Sequence, residues 1–393
     1  MKGTSEFVLT PPVSKSDAQR ALVLARIIGA PDPLPDEELP ADVQVLRAGL
    51  DVLARGAGEI QCHDGGAPFR FLLTQAAVTP GARVKLFGTA RLSERPHAAL
   101  LEALAPAATR GSGTTLADVR ALDPLPGSFT VSSDQSSQYA SSLLLGAAAI
   151  AHRTARPCTV RVEGARVSDG HLQMTIRWVR AAGFEVRGDS ELLVTWVAPR
   201  VLPEIPGDWS SLGYLLLIAW AGDGRVSRLS NPSLHPDGAI VAALSTVGLT
   251  VHDDGRVIGA VHRHLDVSAR HFPDSIPTLA ALACVLPEAS VFSDCGILRG
   301  KESDRVEGIT ALAQAAGAKV HLENETLTLT PPTKVRALEL DSRDDHRLAM
   351  AAGTLAAIAR VPLKLRGASC VKKSFPGFWR ELALAGVRPE TVD

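Results

Sequence analysis

Arg299-Gly300-Lys301-Glu302-Ser303-Asp304-Arg305 sets three cations and two carboxylates in seven consecutive positions, then runs into a helical pattern. Asp304, followed three places later by Glu307, reads as an N-cap with its capping-box partner, so a helix is predicted to begin near Arg305. Val306, Ile309, Ala313 and Ala316 recur at helical spacing, and Gly317 ends the run. Lys301 and Glu302 therefore stand just ahead of a helix N-terminus, where free N–H groups and the macrodipole favour an anion. In isolation such a run is ordinarily a solvated loop. Its recurrence through the chain argues for more.

Lys15 and Ser16 are expected ahead of a helix over Ala18 to Ile28, with Arg20 on its first turns. Cys62 to Arg70 passes from strand to helix; Gly65 and Gly66 let backbone approach a ligand, and Pro68 suits a first helical turn. Arg91 to Pro96 is expected to open a helix running through Leu104. Ser136-Ser137-Gln138 starts an apolar helix, and Ser168-Asp169-Gly170-His171 caps another. Farther on, Gly207-Asp208, Phe272-Pro273-Asp274, Asp344-Asp345-His346-Arg347 and Lys372-Lys373-Ser374 each precede a helix. The cations on these starts are Lys15, Arg20, Arg95, Lys301, Arg305, Arg347 and Lys373. A phosphate monoester carries about −1.5 to −2 near neutral pH, so helix starts facing one cleft would suit two ligands bearing phosphate or carboxylate.

At 393 residues the chain has room for two domains with sizeable cores, and its alanine- and leucine-rich, aromatic-poor composition suits a packed α/β protein. A net charge of −1 gives no ground for a nucleic-acid surface. Five scattered cysteines, never spaced as CxxC, suit free thiols in a reducing compartment. With no signal-peptide profile and no apolar run of membrane length, a cytoplasmic protein without membrane partners is expected. His262 and His264 alternate on an expected strand but lack a third ligand nearby, so no metal site is read there. A helix ending in glycine, followed by two short strands across a polar turn, occurs after Gly183, Gly248 and Gly317, and its helix–glycine part recurs at Gly386. That repeat suggests copies of a βαβ-containing unit, three per half, divided near Pro206.

Taken together, SKSDAQRALVLA from Ser14, ERP at Glu94, SSQYASSLLL from Ser136, GDWSSLGY from Gly207, PDSIPTLA from Pro273, RGKESDR from Arg299, DDHRLAMA from Asp344 and KKSFPGFW from Lys372 resemble the enolpyruvyl transferases. The likeness runs from Pro12 to Gly386 and is strongest to the EPSP synthase branch, the last motif being similar to its Bacteroidetes-type variant. The resemblance implies two similar α/β domains, each of three βαβαββ units in an inside-out barrel, with the active site in the interdomain cleft. The first domain would span 13–205, and the second 1–12 with 206–393. On the phosphoenolpyruvate side it carries over Lys15, Gly66, Arg95, Gln138, Lys301, Arg305, Arg347 and Lys373, with His346. On the shikimate 3-phosphate side it carries over Lys15, Ser16, Arg20, Ser136, Ser137, Gln138, Ser168, Asp274 and Lys301. His171 stands where a tyrosine is usual, Ile297 where an asparagine is common, and Asp64 and Ala67 depart from the usual glycine loop.

The implied reaction transfers the enolpyruvyl group to the 5-hydroxyl of shikimate 3-phosphate by addition–elimination through a tetrahedral intermediate, without cofactor or metal. Asp274 would be the base at the acceptor hydroxyl, and Lys15 and Glu302 the proton shuttles, with His346 a further catalytic candidate. Glyphosate, an inhibitor of the family, would occupy the donor pocket, where Gly66 leaves it room. A monomer acting on small molecules is expected. The sister enzymes acting on UDP-N-acetylglucosamine typically carry a cysteine where this chain has Ala90. A paralogue using another phosphorylated or cyclic alcohol, and a non-catalytic ligand-binding relative, remain the alternatives.

Overall fold

The computed structural model describes residues 7–132, 134, 136–164 and 169–392. They gather into two compact units. The first comprises Lys15–Glu37 and Ala41–Ile205; the second comprises the chain up to Ser14, Glu38–Pro40 and everything from Pro206 onward.

The first unit repeats one supersecondary pattern. Strand Ala57–Gln61, helix Gly66–Val78, strand Arg83–Phe87, short helices Ala90–Glu94 and Ala98–Ala103, and hairpin Ala108–Arg110 with Thr115–Arg120 make one copy. Strand Ser128–Ser132, helix Ser137–Thr154, strand Cys158–Glu163, helix Asp169–Ala181, and hairpin Phe184–Arg187 with Glu191–Trp196 make the next. In each sheet the first two strands are parallel and the hairpin adds its second strand beside them, giving the order first, second, fourth, third. Ahead of these copies come helices Lys15–Ile28 and Ala41–Ala54, so the third repeat is present as a helical pair among the described residues. Proline-rich residues 30–40 between them form no helix or strand.

The second unit uses the same pattern. Its first copy borrows Val8–Leu9 from the chain's beginning, which pairs in parallel with Arg225–Val226. Helix Trp209–Gly222, helix Ile240–Thr246 and hairpin Leu249–Val251 with Val257–Gly259 complete it. Strands Asp266–Ser268 and Ser290–Ser293, helices Ile276–Ala283 and Arg305–Ala316, and hairpin Lys319–Glu323 with Thr326–Thr330 form the second copy, again in the order first, second, fourth, third. The third runs Leu338–Asp341, His346–Ala359, Leu363–Arg366, Phe378–Leu384, Glu390–Val392, with all three strands parallel.

One helix from each copy of the second unit, Trp209–Gly222, Ile276–Ala283 and His346–Ala359, packs on the other two. Their sequences are apolar nearly all round, as a helix surrounded by protein requires. Each fully buried leucine there, such as Leu215, Leu279 or Leu355, contributes on the order of 2 kcal/mol relative to exposure. The glycines that end repeat helices adopt a conformation closed to most side chains: Gly183 has φ +103°, Gly248 +98° and Gly317 +94°. In the copy that closes with Thr115–Arg120, Ala105-Pro106 follows the helix instead, which hid that copy from the glycine pattern.

Candidate active site

In the second unit, Arg305 joins three helix starts. It opens the helix Arg305–Ala316 and is wholly buried. Its Nη1 donates to Asp274 Oδ1 at 2.8 Å, its Nη2 to Glu302 Oε2 at 2.6 Å, and its Nε to Asp345 Oδ2 at 2.8 Å. Asp274 lies just ahead of helix Ile276–Ala283, while Asp345 is the N-cap of helix His346–Ala359 and accepts from the Arg347 amide at 2.9 Å. Burial alone would lower the Arg305 pKa, but Asp345, Glu302 and Asp274 outweigh it and hold the guanidinium firmly charged.

Asp274 is the second hub. Arg347 Nη2 donates to its Oδ2 at 3.0 Å, and Lys301 Nζ lies 3.6 Å from its Oδ1. Burial pushes the Asp274 carboxyl up, yet Arg347, Lys301 and Arg305 together hold it well below the usual carboxylate range. Arg347 is 4 % exposed, and among the described residues its Nε and Nη1 make no hydrogen bond. A buried guanidinium with two unused donors calls for an anion. Lys373 is likewise buried, with Nζ 3.9 Å from Glu302 Oε1, whereas the adjacent Lys372 is exposed. His346 occupies the first turn of its helix and is 1 % exposed. Tyr214 reaches in from helix Trp209–Gly222, donating to the Arg347 carbonyl at 3.2 Å, and burial pushes its hydroxyl up to about 12.

The first unit holds the remaining candidates. Lys15 and Ser16 lie in the first turn of helix Lys15–Ile28 rather than ahead of it. Lys15 Nζ pairs with Asp42 at 3.0 Å. Gly66 opens helix Gly66–Val78 directly against Arg95: a Cβ placed on Gly66 would stand 2.6 Å from Arg95 Nη1. The predicted helix from Arg91 through Leu104 is broken, because Pro96 cannot continue it and Arg95 caps the short turn Ala90–Glu94 in an extended conformation. His97 Nε2 donates to Leu92 O at 2.8 Å and stacks edge-on with Phe69; burial, then Arg70, pulls it down to about 3, so the ring is neutral. Ser136 caps helix Ser137–Thr154 by accepting from the Gln138 amide at 3.2 Å. Gln138 in turn accepts through its side-chain oxygen from Arg70 Nη1, and Arg70 Nη2 donates to Pro96 O at 3.2 Å.

Several expectations of local structure are revised, and other candidate residues have partners of their own. Arg20 is 2 % exposed and bound to Thr175 Oγ1 at 2.7 Å, the Ser16 carbonyl at 2.7 Å and the His171 carbonyl at 3.1 Å, with its pKa lowered by burial to about 10. It ties two helices together, so contact with a ligand would mean exchanging one of those bonds. Ile297 packs against the hydrophobic core. Glu307 does not close the capping box; its carboxylate pairs with Arg343 at 2.7 Å, while Asp304 alone accepts from the amides of Val306 and Glu307. Ser168 lies outside the described residues. His262 and His264 precede the strand Asp266–Ser268 instead of sitting on it, and His264 pairs with Glu288 at 2.8 Å. Among the described residues, no cluster of His, Cys, Asp or Glu could hold a metal.

Three residues were given no role of their own in the sequence reading: Asp42, Asp345 and Arg70. The tally of cations at helix starts left out their carboxylate partners: Asp42 pairs with Lys15, and Asp274, Glu302 and Asp345 take up Arg305 and its neighbours. The signal was available, since Asp42 and Asp345 also stand at helix starts, where acids are as common as ligand sites.

Residues 34–382 match the family described as EPSP synthase (3-phosphoshikimate 1-carboxyvinyltransferase). The chain belongs to the EPSP synthase family. A relative named 3-phosphoshikimate 1-carboxyvinyltransferase from Methanopyrus kandleri is 30 % identical, the alignment spanning 97 % of this chain and 96 % of that one. A relative of the same name from Halobacterium salinarum is 29 % identical, over 95 % of each chain. The structure of EPSP synthase from Acinetobacter baumannii shares the fold with TM-score 0.71 at 18 % identity, covering 98 % of this chain and 97 % of that one. No helix of the described residues is long and apolar enough to cross a membrane.

Proposed function

We propose that this protein transfers the enolpyruvyl group of phosphoenolpyruvate to the 5-hydroxyl of shikimate 3-phosphate, releasing phosphate. The observation that carries the donor assignment is Arg347, a buried cation with Nε and Nη1 unused, on a helix start shared with His346 and beside Lys301. Two-point binding of carboxylate or phosphate is what a guanidinium does best.

The acceptor oxygen attacks carbon 2 of phosphoenolpyruvate while carbon 3 gains a proton. The resulting ketal phosphate expels phosphate and loses a methyl proton, which restores the double bond. We assign Asp274 as base for the hydroxyl. With three cations on it, this carboxylate is ionised but weakly basic. An anionic donor that draws Arg347 and Lys301 toward itself relieves that pull and raises Asp274 toward useful basicity. Lys15 and Glu302 are assigned the proton transfers at carbon 3; Arg95, Gln138 and Lys373 the donor; and Ser16, Ser136, Ser137 and Ser168 the acceptor. Arg305 holds Asp274, Glu302 and Asp345 in register. We place the protein in the cytoplasm as a monomer.

The test is an assay of the purified protein with both substrates and no added metal, which should release inorganic phosphate. No release, together with turnover of a different phosphorylated or cyclic alcohol, would move the assignment to a paralogue. Two positions favour that second reading: Ile297 is apolar and packed on the core, and His171 replaces the usual tyrosine.

A further inference from the structure

Arg70 is a buried cation near the glycine pair that the reaction scheme leaves without a task. It lies in the first turns of helix Gly66–Val78, is 2 % exposed, and sits 5.2 Å from the centre of the Tyr139 ring. Its Nη1 donates to Gln138 Oε1, and its Nη2 donates to the Pro96 carbonyl, which also accepts from Tyr139 Oη at 2.5 Å. One guanidinium thus grips the side chain of Gln138 and the backbone next to Arg95, two groups assigned to the donor from separate elements.

An arginine has only donors. Whichever end of the Gln138 amide faces Arg70 must be the oxygen, which leaves Gln138 with its NH₂ as the only end able to meet a ligand. Left to itself, a glutamine amide can turn over and present either end. Held this way it offers two donors, the polarity an anionic donor substrate needs. We infer that Arg70 is a positioning residue for the phosphoenolpyruvate site: it fixes the Gln138 amide with its NH₂ outward and, through Pro96, holds the backbone that carries Arg95. The inference rests on the reading of Gln138 as a phosphoenolpyruvate contact.

A double-mutant cycle tests it, with kcat and KM for phosphoenolpyruvate measured on wild type, Arg70→Met, Gln138→Ala and the double variant, and thermal unfolding followed in parallel. Losing an orienting charged hydrogen bond is worth about 10- to 100-fold. Arg70→Met should lower kcat/KM for phosphoenolpyruvate by about that factor, chiefly through KM, while in the Gln138→Ala background the same change should cost much less, because the Gln138 contact is already gone. Equal losses in both backgrounds would overturn the inference, because Arg70 would then act independently of Gln138. A Gln138→Ala variant with unchanged KM would overturn the reading of Gln138 and the inference with it. Should Arg70→Met fail to fold, Arg70→Lys, which keeps the charge but not the two-point grip, replaces it in the same cycle. Gln138→Glu adds a readout that a purely structural role would not move. It strengthens the pair with Arg70 but removes the NH₂, so it should keep thermal stability and still raise KM; an unchanged KM would also overturn the inference.

Discussion

At the scale of single residues, Asp274 shows how charge balance sets behaviour. A carboxyl whose folded pKa lies below its unfolded value, about 3.9 for aspartate, lends stability that is complete above that value and is lost as pH falls through the folded pKa. Arg347, Lys301 and Arg305 put Asp274 in that class despite its burial. Urea unfolding from about pH 6 to about pH 2 should therefore show stability falling more steeply below about pH 4 in the native protein than in Asp274→Asn. The variant starts lower at neutral pH, since Arg305 and Arg347 lose a charged partner; parallel acid limbs would contradict the assignment. Gly66 poses a steric question instead. A methyl group there would press on the Arg95 guanidinium at 2.6 Å, and only Arg95, the far end of a flexible side chain, can give way. Overpacking of this kind costs about 1–3 kcal/mol, or about 5- to 150-fold in affinity. Gly66→Ala should raise both the inhibitory concentration of glyphosate and the KM for phosphoenolpyruvate, by amounts within that range. An unchanged value for both would show that Arg95 does not touch the donor.

At the scale of elements, the decisive device is the cap that starts helix Arg305–Ala316. Asp304 accepts from the amides of Val306 and Glu307 at 3.0 and 3.2 Å, and its other oxygen pairs with Arg299 at 2.7 Å. Asp304→Ala should cost about 1 kcal/mol of stability. It should also raise KM for phosphoenolpyruvate, because a frayed first turn releases Arg305 and with it Glu302, while Asp304→Asn or Asp304→Ser should recover most of both losses. Loss of stability with untouched kinetics would mean that the cap serves folding alone. This cap was legible in the sequence because capping is local: acceptor and donors lie within three residues of each other. The partner of Glu307 was not, since Arg343 lies 36 residues away and only the packed structure brings it near. The broken helix at Arg95-Pro96 should have been legible, as proline forbids what the apolar spacing invited. The same contrast covers the clusters. Which residues stand at helix starts could be read from spacing, but which carboxylate neutralises which cation depends on how separate repeats pack.

At the scale of the whole molecule, glycine punctuation revealed most of the repeats because the helix-to-hairpin turns at Gly183, Gly248 and Gly317 take a positive φ, and it failed where Ala105-Pro106 made the turn without one. The chain's beginning could be assigned only through the family likeness, since nothing in the two residues Val8–Leu9 says which sheet they join. They join the second unit: Val8 and Leu9 pair with Arg225 and Val226, the Thr10 amide donates to Glu381 at 2.8 Å, and Ser14 N–H donates to the Pro206 carbonyl at 2.7 Å. Leu9 is fully buried in that unit's hydrophobic cluster. Truncating it leaves a cavity that should cost about 2–5 kcal/mol, and the cost should fall on the unit that contains it. Hydrogen exchange of Leu9→Ala should therefore show faster exchange in helix Trp209–Gly222 and strand Arg225–Val226, with helix Ser137–Thr154 of the first unit little changed. The strand pairs with the element that follows Trp209–Gly222, and once that edge opens the core beneath it loses one wall. Faster exchange spread evenly over both units would instead mean that they unfold as one cooperative body, and that the discontinuous second unit has no stability of its own to lose.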